Sequence, residues 1–303
     1  MNNKIMLIVL VILIAIFLFT KYNNNTEKEI KFFGVDSIDI VKIELTKGGE
    51  ITILAKDGDT WKMIQPVESK LDEKNLNSLF ERGLTVVTSK IPVSENESAL
   101  EIYNLTDSLG TKVKLMGNKD NILADVVLGS SSQWNNTPAR KVGENKIYRL
   151  SSSINLVFGP NTDYWRNKEL LYIFADNIQE MRLLADNLDY SVTATDSLWK
   201  VEYLSETTYV GDDNEFLSAI FENLKMVKAA MFYNEDYSKI ADRFNDPQFK
   251  IMIKLKSGED IELVFADSDQ SGYRFMKVNG KEDELYYVSN WWSDKFIQRA
   301  KLL

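Results

Sequence analysis

The chain has 303 residues, 36 of them Lys or Arg and 45 Asp or Glu. The resulting net charge of −9 argues against nucleic acid and anionic lipid surfaces as partners. It contains no Cys and no His, which excludes disulfides, thiolate nucleophiles, the Ser-His triad and most zinc chemistry. With 44% hydrophobic and 11% aromatic residues, a chain of this length has material for two packed domains.

Residues 1–22 read as an N-terminal membrane anchor. Ile5 to Thr20, IMLIVLVILIAIFLFT, carries no charge, Gly or Pro. As a helix it would span about 24 Å, against a hydrocarbon core of roughly 30 Å. Flanking Asn2 to Met6 and Lys21 to Tyr22 bring it close to crossing. A cleaved signal peptide is the competing reading, but the run ends Phe17-Leu18-Phe19-Thr20-Lys21-Tyr22 without a small-x-small cleavage pattern. The short leader and long polar remainder place the N-terminus inside and the bulk outside the cytoplasmic membrane. Residues 23–35 follow as a polar tether, with Lys21 to Lys31 reading KYNNNTEKEIK.

Residues 36–172 open with alternating apolar positions over Asp39 to Leu45. Turns at Lys47-Gly48-Gly49 and Asp57-Gly58-Asp59 then lead into Glu50 to Leu54 and Thr60 to Ile64. Alternation bounded by Gly and Asp predicts a three-stranded meander, closed by Pro66. Leu76, Leu79, Phe80 and Gly83 share one face of a helix from about Leu71, with Ser69 or Asp72 as cap. Leu84 to Ile91 reads as extended and Glu97 to Tyr103 as a short helix. Four strands follow: Lys112 to Met116, Ile122 to Leu128, Ala139 to Val142 and Ile147 to Leu150. A helical stretch broken at Gly159-Pro160 ends the unit.

Residues 173–303 repeat this order. Glu180 to Leu184, Tyr190 to Ala194 and Leu198 to Leu204 form the meander, and Asp213 to Val227 the helix, with Asp212-Asp213 capping it. After a short helix at Ser238 to Phe244 come strands Phe249 to Leu255, Ile261 to Phe265, Tyr273 to Val278 and Leu285 to Val288. A last helix starts near Asn290. Landmarks recur at one spacing: Trp61-Lys62 as Trp199-Lys200, and Tyr148 and Ser151 as Tyr286 and Ser289. Val35-Asp36-Ser37-Ile38 recurs as Ala175-Asp176-Asn177-Ile178. The expected fold class is α+β: an N-terminal transmembrane helix, then two tandem repeats, each a mainly antiparallel sheet with one main helix and short helices.

These residues carry a family resemblance. An anchor precedes strand-turn-strand into WKMIQP (Trp61 to Pro66). A Leu-rich helix, the break Tyr103-Asn104-Leu105, a strand end at Leu128-Gly129 and a Tyr-containing strand before a closing helix follow. Together they resemble the bacterial family called domain of unknown function 4340, in two copies over residues 32–303. The second copy departs from it, with Ala266-Asp267 for Leu-Gly and Phe244-Asn245-Asp246 for Tyr-Asn-Leu. The resemblance implies a protein encoded beside ABC-2-type exporters and gliding-motility-type auxiliary proteins. It supplies no catalytic residues.

Chemistry is sparse. Asp267, Asp269, Ser271 and Gly272 resemble the start of a calcium loop, but Val278 holds the twelfth position where Glu is needed, so a turn is expected. Trp61 and Trp199 sit in alternating strands and read as core rather than glycan platforms, whereas Trp291-Trp292 is more open. No catalytic, cofactor-binding or metal-ligating residue is assigned. The expected function is a non-enzymatic accessory subunit of an ABC-type transport complex. It would contact the membrane through Ile5 to Thr20, and an ABC-2-type permease, its ATPase and an auxiliary protein outside the cytoplasm. An exported module binding cell-wall glycan or lipid through exposed aromatics is the alternative.

Overall fold

The computed structural model describes residues 10–18, 29–132, 135–186, 188–280 and 285–300, with side chains up to residue 297. The chain divides into two compact units, Met1–Asn167 and Lys168–Leu303. The division falls before residue 173 because strand Glu169–Leu171 pairs with Val227–Lys228 of the second unit.

In the first unit, a helix (α1) is described over residues 10–18. The strands are β1 (Glu29–Lys31), β2 (Lys42–Lys47), β3 (Glu50–Asp57), β4 (Thr60–Gln65) and β5 (Ser69–Lys70). Helix α2 (Glu73–Ser78) comes next, continued by a π-turn over Leu79–Gly83, then β6 (Val87–Ser89) and α3 (Ala99–Ile102). The unit ends with β7 (Thr111–Met116), β8 (Ile122–Leu128), β9 (Pro138–Lys141), β10 (Tyr148–Arg149) and α4 (Thr162–Trp165). Eight strands form one antiparallel sheet in the order β10-β9-β8-β7-β2-β3-β4-β5, and β1 pairs with β6 in a separate ribbon.

Turn chemistry sets the first registers. Gly48 and Gly49, both at positive φ, close β2 on β3 with Lys47 opposite Glu50. Every second strand residue then faces inward, so Ile43, Leu45, Leu54, Met63, Val113, Leu115 and Val126 form a buried layer. Leu76, Leu79, Phe158 and Trp165 cover that layer. Asp72 caps α2, its carboxylate accepting from the Lys74 and Asn75 amides at 2.9 and 3.1 Å. The helix packs so closely that a Cβ on Gly83 would lie 2.7 Å from the Phe158 ring.

The second unit contains β11 (Glu169–Leu171), β12 (Ile178–Ala185), β13 (Leu188–Ala194), β14 (Trp199–Tyr203), β15 (Glu206–Val210) and α5 (Glu215–Leu224). Then come β16 (Val227–Lys228), β17 (Met231–Phe232), β18 (Phe249–Leu255), β19 (Asp260–Asp267), β20 (Tyr273–Val278), β21 (Leu285–Ser289) and α6 (Asn290–Ala300). Nine strands form a sheet in the order β15-β14-β13-β12-β18-β19-β20-β21-β17. Phe216, Leu217, Ile220 and Leu224 line one face of α5 and join Met181, Leu183, Val192 and Ile253 in the core. Phe249 and Phe265 stack there with ring centroids 4.2 Å apart, and α6 contributes buried Phe296.

The strand order from the Trp-Lys strand inward is the same in the two sheets. β4-β3-β2-β7-β8-β9-β10 in one corresponds to β14-β13-β12-β18-β19-β20-β21 in the other.

The expected fold class needs correction. Antiparallel sheets of eight and nine strands dominate, and the longest described helices, α5 and α6, have ten and eleven residues. The described residues therefore form a sheet-dominated fold, and the expected single-pass transmembrane helix is not among its elements. No helix among the described residues is long and apolar enough to cross a membrane. The ends of Ile5 to Thr20 and most of the tether lie outside the described residues.

Candidate functional site

The sheet of the second unit buries one face under α5 and α6 and turns the other outward. Cross-strand pairing arranges the outward side chains in two rows. One runs Glu180–Lys254–Asp260 and the other Arg182–Met252–Glu262. The first row continues outward through Thr193, Lys200 and Tyr209, the second through Ser191, Glu202 and Thr207. Around Glu180, Arg182, Met252, Lys254, Asp260 and Glu262 the face dishes into an open depression of about 610 Å³.

Charges of both signs alternate along this face. Arg182 grips Asp189 with two parallel bonds of 2.9 and 2.6 Å. That hydrogen bonding holds the Asp189 carboxyl below its ordinary range and raises the guanidinium pKa. Lys200 sits 2.8 Å from Glu202, and its hydrogen bond likewise lowers the Glu202 pKa. These carboxylates move away from neutrality, the direction that favours standing charge over proton transfer. The face therefore presents standing charges of both signs to solvent.

Beyond β19 the same side of the sheet is covered by residues 233–244. The Lys277 ammonium lies over the rings of Tyr237 and Phe244, 5.2 and 4.9 Å from their centroids. Tyr287 donates to Asp269 at 3.1 Å, and burial first, then this bond, pushes its hydroxyl up to about 12. The Asp267 carboxylate accepts from Gln248, and the Ser268 hydroxyl donates to the Gln270 and Tyr273 carbonyls. Residues 267–272 thus form a hydrogen-bonded turn. Among the described residues no cluster of three or more carboxylates is placed to hold a metal ion.

The tryptophans divide. Trp199 is 6% exposed, lies 4.8 Å from the Phe221 ring and donates its Nε1–H to Asp212 at 2.7 Å. Trp61 packs on Phe80 at 5.5 Å but is only half-buried. Trp292 faces inward against Phe265 and Phe296. Trp291 is 74% exposed, with the Lys295 ammonium 3.5 Å from its ring centroid. Asp212 serves Trp199, and the cap of α5 is Asn214, whose Oδ1 accepts from the Phe216 and Leu217 amides at 3.1 and 3.2 Å. The rows of the outward face were not singled out in the sequence. The polar positions alternating with apolar ones in β12, β18 and β19 were their signal.

The family model described as domain of unknown function (DUF4340) matches residues 61–212, from the Trp-Lys strand of the first unit to the residues after β15 in the second. No curated relative and no solved structure matches the chain. The matched span covers half of the chain, and the protein belongs to the DUF4340 family.

Proposed function

We propose that this protein is a non-enzymatic accessory subunit of an ABC-type transport complex, working at the cytoplasmic membrane through protein contacts on its extracytoplasmic side. The observation that carries the reading is the outward face of the second sheet, with its alternating charged rows and standing ion pairs. Such a surface suits recognition by charge complementarity better than turnover. The absence of His and Cys from the whole chain removes the imidazole general base and the thiolate nucleophile. The family resemblance supplies the partner class, an ABC-2-type permease with its ATPase and an auxiliary protein. The shared strand order supports reading the two units as tandem copies, which would give the partner two related docking modules.

Exposed Trp291 favours a second reading, an exported module that binds cell-wall glycan or lipid. Activity and binding assays on the purified chain separate the two. The accessory reading expects no hydrolysis of ATP or cell-wall glycan, and no retention on glycan that Trp291→Ala abolishes. Glycan hydrolysis, or Trp291-dependent retention on glycan, overturns it.

A further inference from the structure

The two sheets treat one edge differently. In the first unit the strand beyond the Trp-Lys strand is β5, only two residues long and carrying Lys70. The chain itself closes that edge. The Asn167 amide donates to the Lys70 carbonyl at 2.9 Å, the Asp72 amide to the Trp165 carbonyl at 2.8 Å, and Leu71 bridges to Arg166. In the second unit the strand at this position is β15, Glu206–Val210, five residues long, with its first four exposed. It pairs with β14 in unbroken register and, among the described residues, forms the end of the sheet. Natural edge strands are guarded by Lys, Pro, bulges or a covering segment. The ETTYV sequence of β15 has no Lys or Pro, its register has no bulge, and it is rich in strand-forming residues.

Its hydrogen-bond parity can be worked out. Leu204 and Ser205, at φ 50° and 67°, make a two-residue turn that closes on Tyr203 opposite Glu206. Such a turn closes on a hydrogen-bonded pair, so Glu206, Thr208 and Val210 direct their backbone groups to β14. Thr207 and Tyr209 direct theirs to the open side. We infer that β15 pairs antiparallel with β15 of a second copy of this chain, about a two-fold axis at Thr208. In that register Thr207 lies opposite Tyr209 twice over, so the outward donors and acceptors of both strands meet in four hydrogen bonds. Thr208 meets itself, and the single acid Glu206 faces Val210, so no like charges oppose each other. The Thr–Tyr and Thr–Thr pairs are of kinds that stabilise sheets. The strand is complementary to itself, as an isologous interface requires.

The test uses the whole 303-residue chain in mild detergent, followed by sedimentation velocity and by oxidative cross-linking. Thr208 would form a non-hydrogen-bonded pair with Cα atoms about 4.5 Å apart, within disulfide range. Because the natural chain has no Cys, Thr208→Cys should yield a covalent dimer through that residue alone. Thr207→Pro removes an outward N–H from each copy while leaving the β14 pairing intact, and should weaken the dimer more than about tenfold with an unchanged circular dichroism spectrum. If Thr207→Pro fails to fold, the cross-link decides. A wild-type chain that sediments as a monomer overturns the inference. So does a Thr208→Cys chain that does not cross-link, or a folded Thr207→Pro chain that dimerises as before. A monomer that takes up a strand from another protein overturns it too.

Discussion

Trp61 and Trp199 hold the same place in their sheets but not the same surroundings. Trp199 is buried, ringed by Phe221 and tied to Asp212, whereas Trp61 leaves part of its indole in solvent. Trp199→Ala should therefore cost about 3–5 kcal/mol and Trp61→Ala clearly less, measured by urea denaturation. Tyr190 is a second residue with an unusual balance. Its side chain is 1% exposed, and its hydroxyl makes no hydrogen bond among the described residues. Burial pushes that hydroxyl well above the ordinary phenol range. A group whose folded pKa is raised contributes stability below its unfolded pKa and loses it as pH rises past that value. Stability should accordingly fall above about pH 10, where the unfolded chain ionises this tyrosine. Tyr190→Phe should be neutral or stabilising at pH 7, because an unpaired buried hydroxyl costs about 1–3 kcal/mol. It should also move alkaline unfolding to higher pH. A loss of more than about 1 kcal/mol on this substitution at pH 7 would mean the hydroxyl has a partner.

At the scale of elements, helix α5 depends on its first turn. Asn214 satisfies two amides that would otherwise face the buried side of the helix start. Asn214→Ala should cost about 1 kcal/mol, read from the midpoint of chemical unfolding, and Asp213→Ala close to nothing. The sequence pointed to Asp212-Asp213 instead, because three candidate caps stand in a row and only tertiary contacts separate them: Asp212 is drawn to the Trp199 indole. Elsewhere the sequence was legible where turn chemistry was strong. Lys47-Gly48-Gly49 and Asp57-Gly58-Asp59 put β2, β3 and β4 within a few residues of their expected bounds, and Phe249 to Leu255 and Tyr273 to Val278 match β18 and β20. β15 was missed. Its turn is Leu204-Ser205, two L-residues at positive φ, so no Gly or Asn announces the reversal. The transmembrane expectation rested on hydropathy alone; no described helix is long and apolar enough to cross a membrane, and the two ends of Ile5 to Thr20 lie outside the described residues.

The whole molecule joins two sheet-dominated units in a chain of net charge −9. Its outward face in the second unit was only partly legible, since alternation marked the polar positions while the registers that align them into rows required the strand order. That face is the centre of the functional account. Its ion pairs are exposed and individually weak, so under the proposed function recognition would rest on complementarity over several rows. Reversing Arg182 and Lys254 to Glu should leave unfolding within about 1 kcal/mol of the natural chain while removing the partner. The direct measurement is co-purification through a C-terminal tag in mild detergent, comparing the natural chain with this Arg182→Glu, Lys254→Glu variant. The expected result is an ABC-2-type permease and its ATPase recovered with the natural chain and lost with the variant. Recovery of cell-wall fragments in place of those subunits, or equal recovery with both chains, would contradict the account.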